Sequence, residues 1–379
     1  MPESSLPELL AYLRAHSPSL RDSAPEADRL CRLPDDTSRI LVRGGLFRSW
    51  IPRRFGGAQL ALPDALRLYE AAARIDGSIG WAVMIGAGGG LFAATLPPAG
   101  AAAIFSPPDA VIAGSGTPSG RAERVPGGWR CSGRWRYASG ADYATTFTAQ
   151  CALVGEPALE ATPIAMRAMA FERAQVVVQR TWDPLGMRGT GSHDFEVVNA
   201  FVPDERSFDV FGAPHDSGPL YRLPFDVLTV LPITAVALGI ASHALDGFAA
   251  ATRRRRLPHG AGSPADDATV QARFAIADAT VGSVRAHIHA LAKSASECIA
   301  GGGALTAAEL AAITAACVRG AATLGEQVAA LVAVAGMGAV TGTGELGRAW
   351  RDLQTLSAHA SIAPTRLAPA GRTLLHATE

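Results

Sequence analysis

The sequence predicts an α+β chain in three consecutive parts: a helical domain over residues 1–110, a β-barrel or sandwich domain over 111–212, and a helical bundle over 213–379. Three observations carry this. Up to about residue 110, apolar side chains recur at the spacing of amphipathic helices. From 111 to 212 the pattern changes to short β-branched and aromatic runs, cut by Gly, Pro and Asp at intervals of about ten residues. From Leu223 onward, long alanine-rich runs joined by Gly/Pro loops read as an antiparallel four-helix bundle.

In the front part, SLPELLAYLRAH is amphipathic, and ALPDALRLYEAAARIDGSIGWAVMIGAG holds two helices separated by Asp76-Gly77-Ser78. Ser78 is the expected N-cap of the second. FRSWIPRRFGGAQ, with a proline and a glycine pair, reads as a loop. The stretch Trp81 to Phe105 is apolar, but GAGGG and Pro97-Pro98 interrupt it, so it is not expected to span a bilayer.

The middle part centres on Gly114 to Gly140. GSGTPSG has its third glycine one residue late for a dinucleotide loop and does not open a helix. Instead, Pro126-Gly127-Gly128 lies between runs rich in Trp, Val and Tyr, the pattern of a hairpin. The entrance carries Ser115, Thr117 and Ser119, and the strand ends in a second small-residue corner, Ala138-Ser139-Gly140. Two such corners would let a flat cofactor lie against backbone N–H groups, although an ordinary glycine-rich hairpin has the same composition. In the last part, Pro258 to Pro264 reads as a loop. The Arg253–Arg256 run reads as a solvated helix end, with a cofactor phosphate as the alternative.

Lys+Arg and Asp+Glu both number 34. That balance argues against nucleic-acid and membrane-surface partners. Five cysteines without C-x-x-C spacing suit a reducing compartment and give no zinc pattern. The N-terminus has acids and no apolar signal segment, so a soluble cytoplasmic protein is expected.

Helical front, β middle and helical back is the order of the acyl-CoA dehydrogenase superfamily, and four blocks resemble it in sequence. They are GLFRSWIPRRFGG with ARIDGSIGW, PSGRAERVPGGWRCSGRWRYASGADYA, TWDPLGMRGTGSHDFEVVNAFVP, and ELGRAWRDLQTLSAH with AGRTLL. A dehydrogenase of this kind would carry a glutamate about nine residues past Arg351, where Ala360 stands, and no Asp or Glu occurs between Asp352 and Glu379. RAWRDLQTLSAH, GRWRYASG and GMRGTGSHD look more like the flavin-dependent two-component monooxygenase branch. The resemblance implies reduced flavin (FMN or FAD) from a separate reductase, O2 as co-substrate, a C4a-hydroperoxyflavin, and hydroxylation of an aromatic or related small molecule. It also implies a homotetramer. An acyl-CoA dehydrogenase, or an inactive flavin-binding scaffold, is the alternative.

On this resemblance Ser139 hydrogen-bonds near flavin N5, and His359 takes the substrate proton. Imidazole titrates near neutral pH. A turn serine and a packing histidine are the competing readings. Trp135 or Tyr137 would pack on the flavin ring or else fill the hairpin core. Ser115, Thr117, Ser119 and Arg188 are further cofactor-binding candidates, and Trp81, Met84 and His193 are candidates for the substrate pocket.

Overall fold

The computed structural model describes residues 4–155, 165–256, 262–339 and 344–377. Its front half is helical: α1 (Leu6–Leu30), α2 (Asp35–Arg43), α3 (Leu62–Ala73), α4 (Gly77–Gly88) and α5 (Pro98–Phe105). α4 is buried nearly all round, and its N-cap is Asp76 rather than Ser78. The Asp76 backbone is extended (φ −162°), as a cap requires, and its carboxylate accepts the Ser78 N–H at 2.9 Å. Ser78 therefore lies inside the first turn.

Seven strands follow: β1 (Ile112–Val125), β2 (Gly128–Ala138), β3 (Thr146–Leu153), β4 (Met166–Glu172), β5 (Val177–Gln179), β6 (His193–Pro203) and β7 (Ser207–Phe208). They form one continuous sheet in the order β5-β6-β2-β1-β3-β4-β7. Among the described residues only the β1–β3 pair is parallel. The hairpin read from Pro126-Gly127 is present: Val125 pairs with Gly128, and Gly127 takes the left-handed φ of 76° that the tight turn demands. The sheet curls strongly. Phe147 on β3 and Phe195 on β6 have ring centroids 5.1 Å apart, although β1 and β2 lie between those strands. A flat sheet would separate them by roughly 14 Å. The curl encloses Trp135, Phe147, Phe171 and Phe195, all fully buried.

The back half comprises α6 (Pro219–Arg222), α7 (Val227–Arg254), α8 (Ala268–Ala300), α9 (Ala307–Ala335), α10 (Glu345–Ser357) and α11 (Leu367–His376). α7 is the central rod and packs on α3, α4, α8, α9 and α10. The loop expected at Pro258 to Pro264 falls mostly outside the described residues. Arg253 and Arg254 close the last turn of α7, where cations offset the helix dipole, and Arg255 bonds the Ala335 carbonyl. Among the described residues, three stretches are long and apolar enough to cross a membrane by length and composition alone: Gly77–Ala94, Val227–Arg254 and Ala307–Ala335. The first two owe their apolarity to the interior, being 78% and 94% buried; the third is only 44% buried.

Candidate active site

Strand alternation would place Trp135 and Tyr137 on the same face of β2. The structure separates them. Pairing between β2 and β6 is irregular between Trp135 and Ala138, and Tyr137 adopts a left-handed backbone with φ 69°. Trp135 is consequently a core residue. Its ring packs on Phe195 and Phe171 at 5.1 and 5.7 Å, and its indole N–H donates to the Gln150 carbonyl. It cannot bind a cofactor as expected. Tyr137 instead stands 61% exposed, with Trp182 edge-on to its ring at 5.9 Å.

The same irregularity turns Ser139 inward. Its hydroxyl is buried and accepts the Trp81 indole N–H at 2.9 Å. It also lies 2.7 Å from the Ser192 hydroxyl, which lies 2.7 Å from Thr190 Oγ1. Thr190 in turn donates to the Met187 carbonyl at 2.8 Å. The Gly140 N–H bonds the Thr190 carbonyl, so the corner and the 187–192 loop are joined twice.

His359 approaches from the third side. It follows α10 and caps the turn Ala360–Ile362. Its ring meets Trp81 edge-on, with centroids 5.4 Å apart. The half-buried position lowers its pKa through desolvation, so the ring is neutral near pH 7. Nδ1 accepts the Ser361 N–H at 3.2 Å, which puts the remaining proton on Nε2. A base acting through Nε2 would need that lone pair free, and then Nδ1–H would oppose Ser361 N–H. The ring is set to donate.

α10 also holds the loop that carries Thr190 and Ser192. Thr355 accepts the Gly186 N–H at 2.8 Å, and Asp352 accepts the Met187 N–H at 2.5 Å. A Cβ on Gly186 would lie 2.1 Å from the Arg351 backbone, so only glycine allows this contact. Beside Asp352, Arg348 pairs with Asp76 at 3.1 Å, deep in the protein. Burial, and then the neighbouring Asp76 carboxylate, push the Asp352 carboxyl up to about 8, so Asp352 keeps its proton near pH 7.

The other candidates fall in different places. Met84 is buried three residues beyond Trp81 on α4, on the same helix face. Thr117 and Ser119 are exposed on a bulged segment of β1; Ser115 Oγ accepts the Thr117 N–H, and Ser119 donates to the Arg134 carbonyl. Arg188 is not a free ligand. Its guanidinium binds the Asp28 and Pro184 carbonyls, Asp183 and Cys31 Sγ, clamping α1 to the loop. His193 does not face a pocket either. It is buried at the start of β6, where Nδ1 accepts the Trp182 N–H and Nε2 faces Arg180 and Asp142. Thr190 and Ser192 were missed by sequence reasoning, although GMRGTGSHD had marked their loop.

A flavin fits this arrangement. An aromatic ring stands outside the sheet at Tyr137, a buried hydroxyl lies two residues on, and Gly116 has open space where a side chain would begin. The acyl-CoA dehydrogenase C-terminal domain family matches residues 231–364. Indole-3-acetate monooxygenase of Pseudomonas putida is 32% identical over 265 residues, covering 70% of this chain and 67% of that protein. The oxygenase subunit HsaA of a flavin-dependent monooxygenase from Rhodococcus jostii is 30% identical over 283 residues, covering 71% and 72%.

The chain belongs to the flavin-dependent monooxygenase family.

Among solved structures, XiaF from a Streptomyces species, in complex with FADH2 and glycerol, superposes with a TM-score of 0.87 at 22% identity, covering 97% of this chain and 94% of that one. At that identity it shows the acyl-CoA dehydrogenase-like fold alone. The protein is thus a flavin-dependent monooxygenase on an acyl-CoA dehydrogenase-like scaffold. Where a dehydrogenase would place its carboxylate, this flavin-dependent monooxygenase has Ala360, next to His359.

Proposed function

We propose that this monooxygenase hydroxylates an aromatic or related small molecule, using O2 and reduced FMN or FAD delivered by a separate reductase. The observation that carries the reading is the meeting of Trp81, Ser139 and His359, one from each third of the chain, around a single hydrogen bond and a single ring contact. Reduced flavin, when bound, supplies the activation of oxygen. The chain's own residues do the rest. Tyr137 would offer the flavin a ring face, Ser139 an acceptor oxygen, and Ser115 and Thr117 polar contacts. Trp81 and Met84 form an apolar wall that excludes water. His359 donates from Nε2 to the substrate oxygen as charge builds there.

The relatives support the finer points. One is named for indole-3-acetate and another is an oxygenase subunit, which implies a separate reductase. FADH2 accompanies XiaF. Five cysteines without a disulfide suit the cytoplasm. The outward apolar residues Ile276, Leu374 and Leu375 fit burial between subunits of a tetramer. The test is a single turnover: protein loaded with photoreduced FMN or FAD, without reductase, is mixed with ¹⁸O2 and a panel of phenols and indole acids. One ¹⁸O atom in a product supports the proposal. Acyl-CoA that bleaches bound oxidised flavin, with no labelled product, supports the dehydrogenase alternative.

A further inference from the structure

The three hydroxyls behind Ser139 form a chain with a direction. At one end, Thr190 Oγ1 lies 2.8 Å from the Met187 carbonyl oxygen, which has no proton to give. Thr190 must donate there, since otherwise two sets of lone pairs would face each other at hydrogen-bond distance. Its single proton is then committed, so the 2.7 Å contact with Ser192 is made by the Ser192 proton. The 2.7 Å contact between Ser192 and Ser139 is left to the Ser139 proton. At the other end, the Trp81 indole N–H donates to Ser139 Oγ and can do nothing else.

This leaves the Ser139 oxygen with its proton turned away and one lone pair unused. The arrangement is buried: Thr190, Ser192 and Ser139 are 1%, 4% and 8% exposed, so water does not readily reverse it. Both ends are anchored by structure that does not rotate. Met187 is held in a left-handed conformation (φ 55°) and bonded to Asp352 on α10. Trp81 is fixed within α4.

We infer that Thr190 and Ser192 are positioning residues that fix Ser139 as a hydrogen-bond acceptor, and thereby make the site select the reduced form of the flavin. The inference rests on the proposed placement of the flavin at Ser139. Reduced flavin carries a proton on N5 and can donate to the free lone pair. Oxidised flavin presents only a lone pair at N5, which would face another lone pair across the contact. An acceptor-only serine therefore binds one redox state and rejects the other, as a site built for one partner does when a polar group is left unmatched.

The test compares affinities for both redox states, measured by anaerobic titration of wild type, Ser192→Ala, Thr190→Val and Thr190→Ser. Wild type is expected to favour reduced flavin. Ser192→Ala removes the acceptor of the Ser139 proton, and Thr190→Val frees Ser192 to donate towards Ser139. In both, Ser139 becomes able to donate, and the preference for reduced flavin should fall by about tenfold. For a two-electron couple a tenfold change is a shift of about 30 mV in the potential of the bound flavin, towards more negative values. Thr190→Ser, which keeps the hydroxyl, should restore the wild-type potential. If Ser192→Ala and Thr190→Val weaken both redox states equally, the residues only shape the pocket and the inference is overturned. An unchanged potential in both overturns it as well, while leaving the flavin site in place. Wild type that binds neither redox state overturns the inference together with the proposed function.

Discussion

The indole N–H of Trp81 donates to the Ser139 hydroxyl at 2.9 Å, tying the buried helix α4 to the end of β2 across 58 residues of sequence. The same indole meets His359 edge-on. One side chain therefore sets the distance between the two polar groups of the site. Trp81→Phe keeps a ring against His359 but removes the donor. Thermal melts should show a loss of about 1 kcal/mol, and peroxide release from the reduced-flavin complex should rise. Unchanged release would show that the bond serves packing alone.

Ser139→Ala removes the hydroxyl itself. The variant should still bind flavin, since Tyr137 and the β1 entrance are untouched. Loss of one hydrogen bond to a charged or developing centre is worth about 1.5–3 kcal/mol, or roughly ten- to hundredfold faster leakage of hydrogen peroxide. Peroxide assayed against hydroxylated product separates this from simple unfolding.

Trp135 and Tyr137 should part company on mutation. Trp135→Ala empties the centre of the curled sheet and should cost about 3–5 kcal/mol in denaturant unfolding, as large aromatic truncations do. Tyr137→Ala removes a side chain mostly in solvent. It should leave stability near wild type while weakening flavin binding. The opposite pattern would mean that the cofactor lies on the other face of β2.

That pair also shows where the sequence stops being legible. The three-part order, the Pro126-Gly127 turn and the corner at Ser139 were all readable, because glycine, proline and period changes leave local marks. Which aromatic lies in the core and which stands outside was not, because strict alternation puts residues 135 and 137 on one face. Only the left-handed Tyr137 and the slipped pairing against β6 reverse it. The expectations for Arg188 and His193 failed for a related reason: both types serve equally as ligands and as anchors, and their partners Cys31, Asp28 and Asp142 are distant in sequence. Thr190 between Gly189 and Gly191, and Ser192 just after, sat in plain view, but nothing local reveals that they line up behind Ser139. The absent carboxylate at Ala360 was legible, whereas the tautomer of His359 depends on the turn that follows it.

Asp352 makes the fold less stable as pH rises from the acid range towards about 8. Its carboxyl is raised from 3.8 to about 8 in the folded protein, chiefly by burial and then by Asp76. Between those values the folded state holds a proton that the unfolded chain has released, so stability falls as pH rises through that window. Asp352→Asn keeps an oxygen for the Met187 N–H and has no proton to lose. Chemical denaturation from pH 5 to 9 should show a shallower decline for the variant. Parallel curves would assign the pH dependence to other groups.

The most direct test of the site is a crystal structure of the protein soaked anaerobically with reduced FMN or FAD. The account predicts flavin N5 at hydrogen-bond distance from Ser139 Oγ, about 3 Å, with the ring against Tyr137 and its open face towards His359. A flavin bound elsewhere, or one whose N5 faces a group other than Ser139, would contradict it.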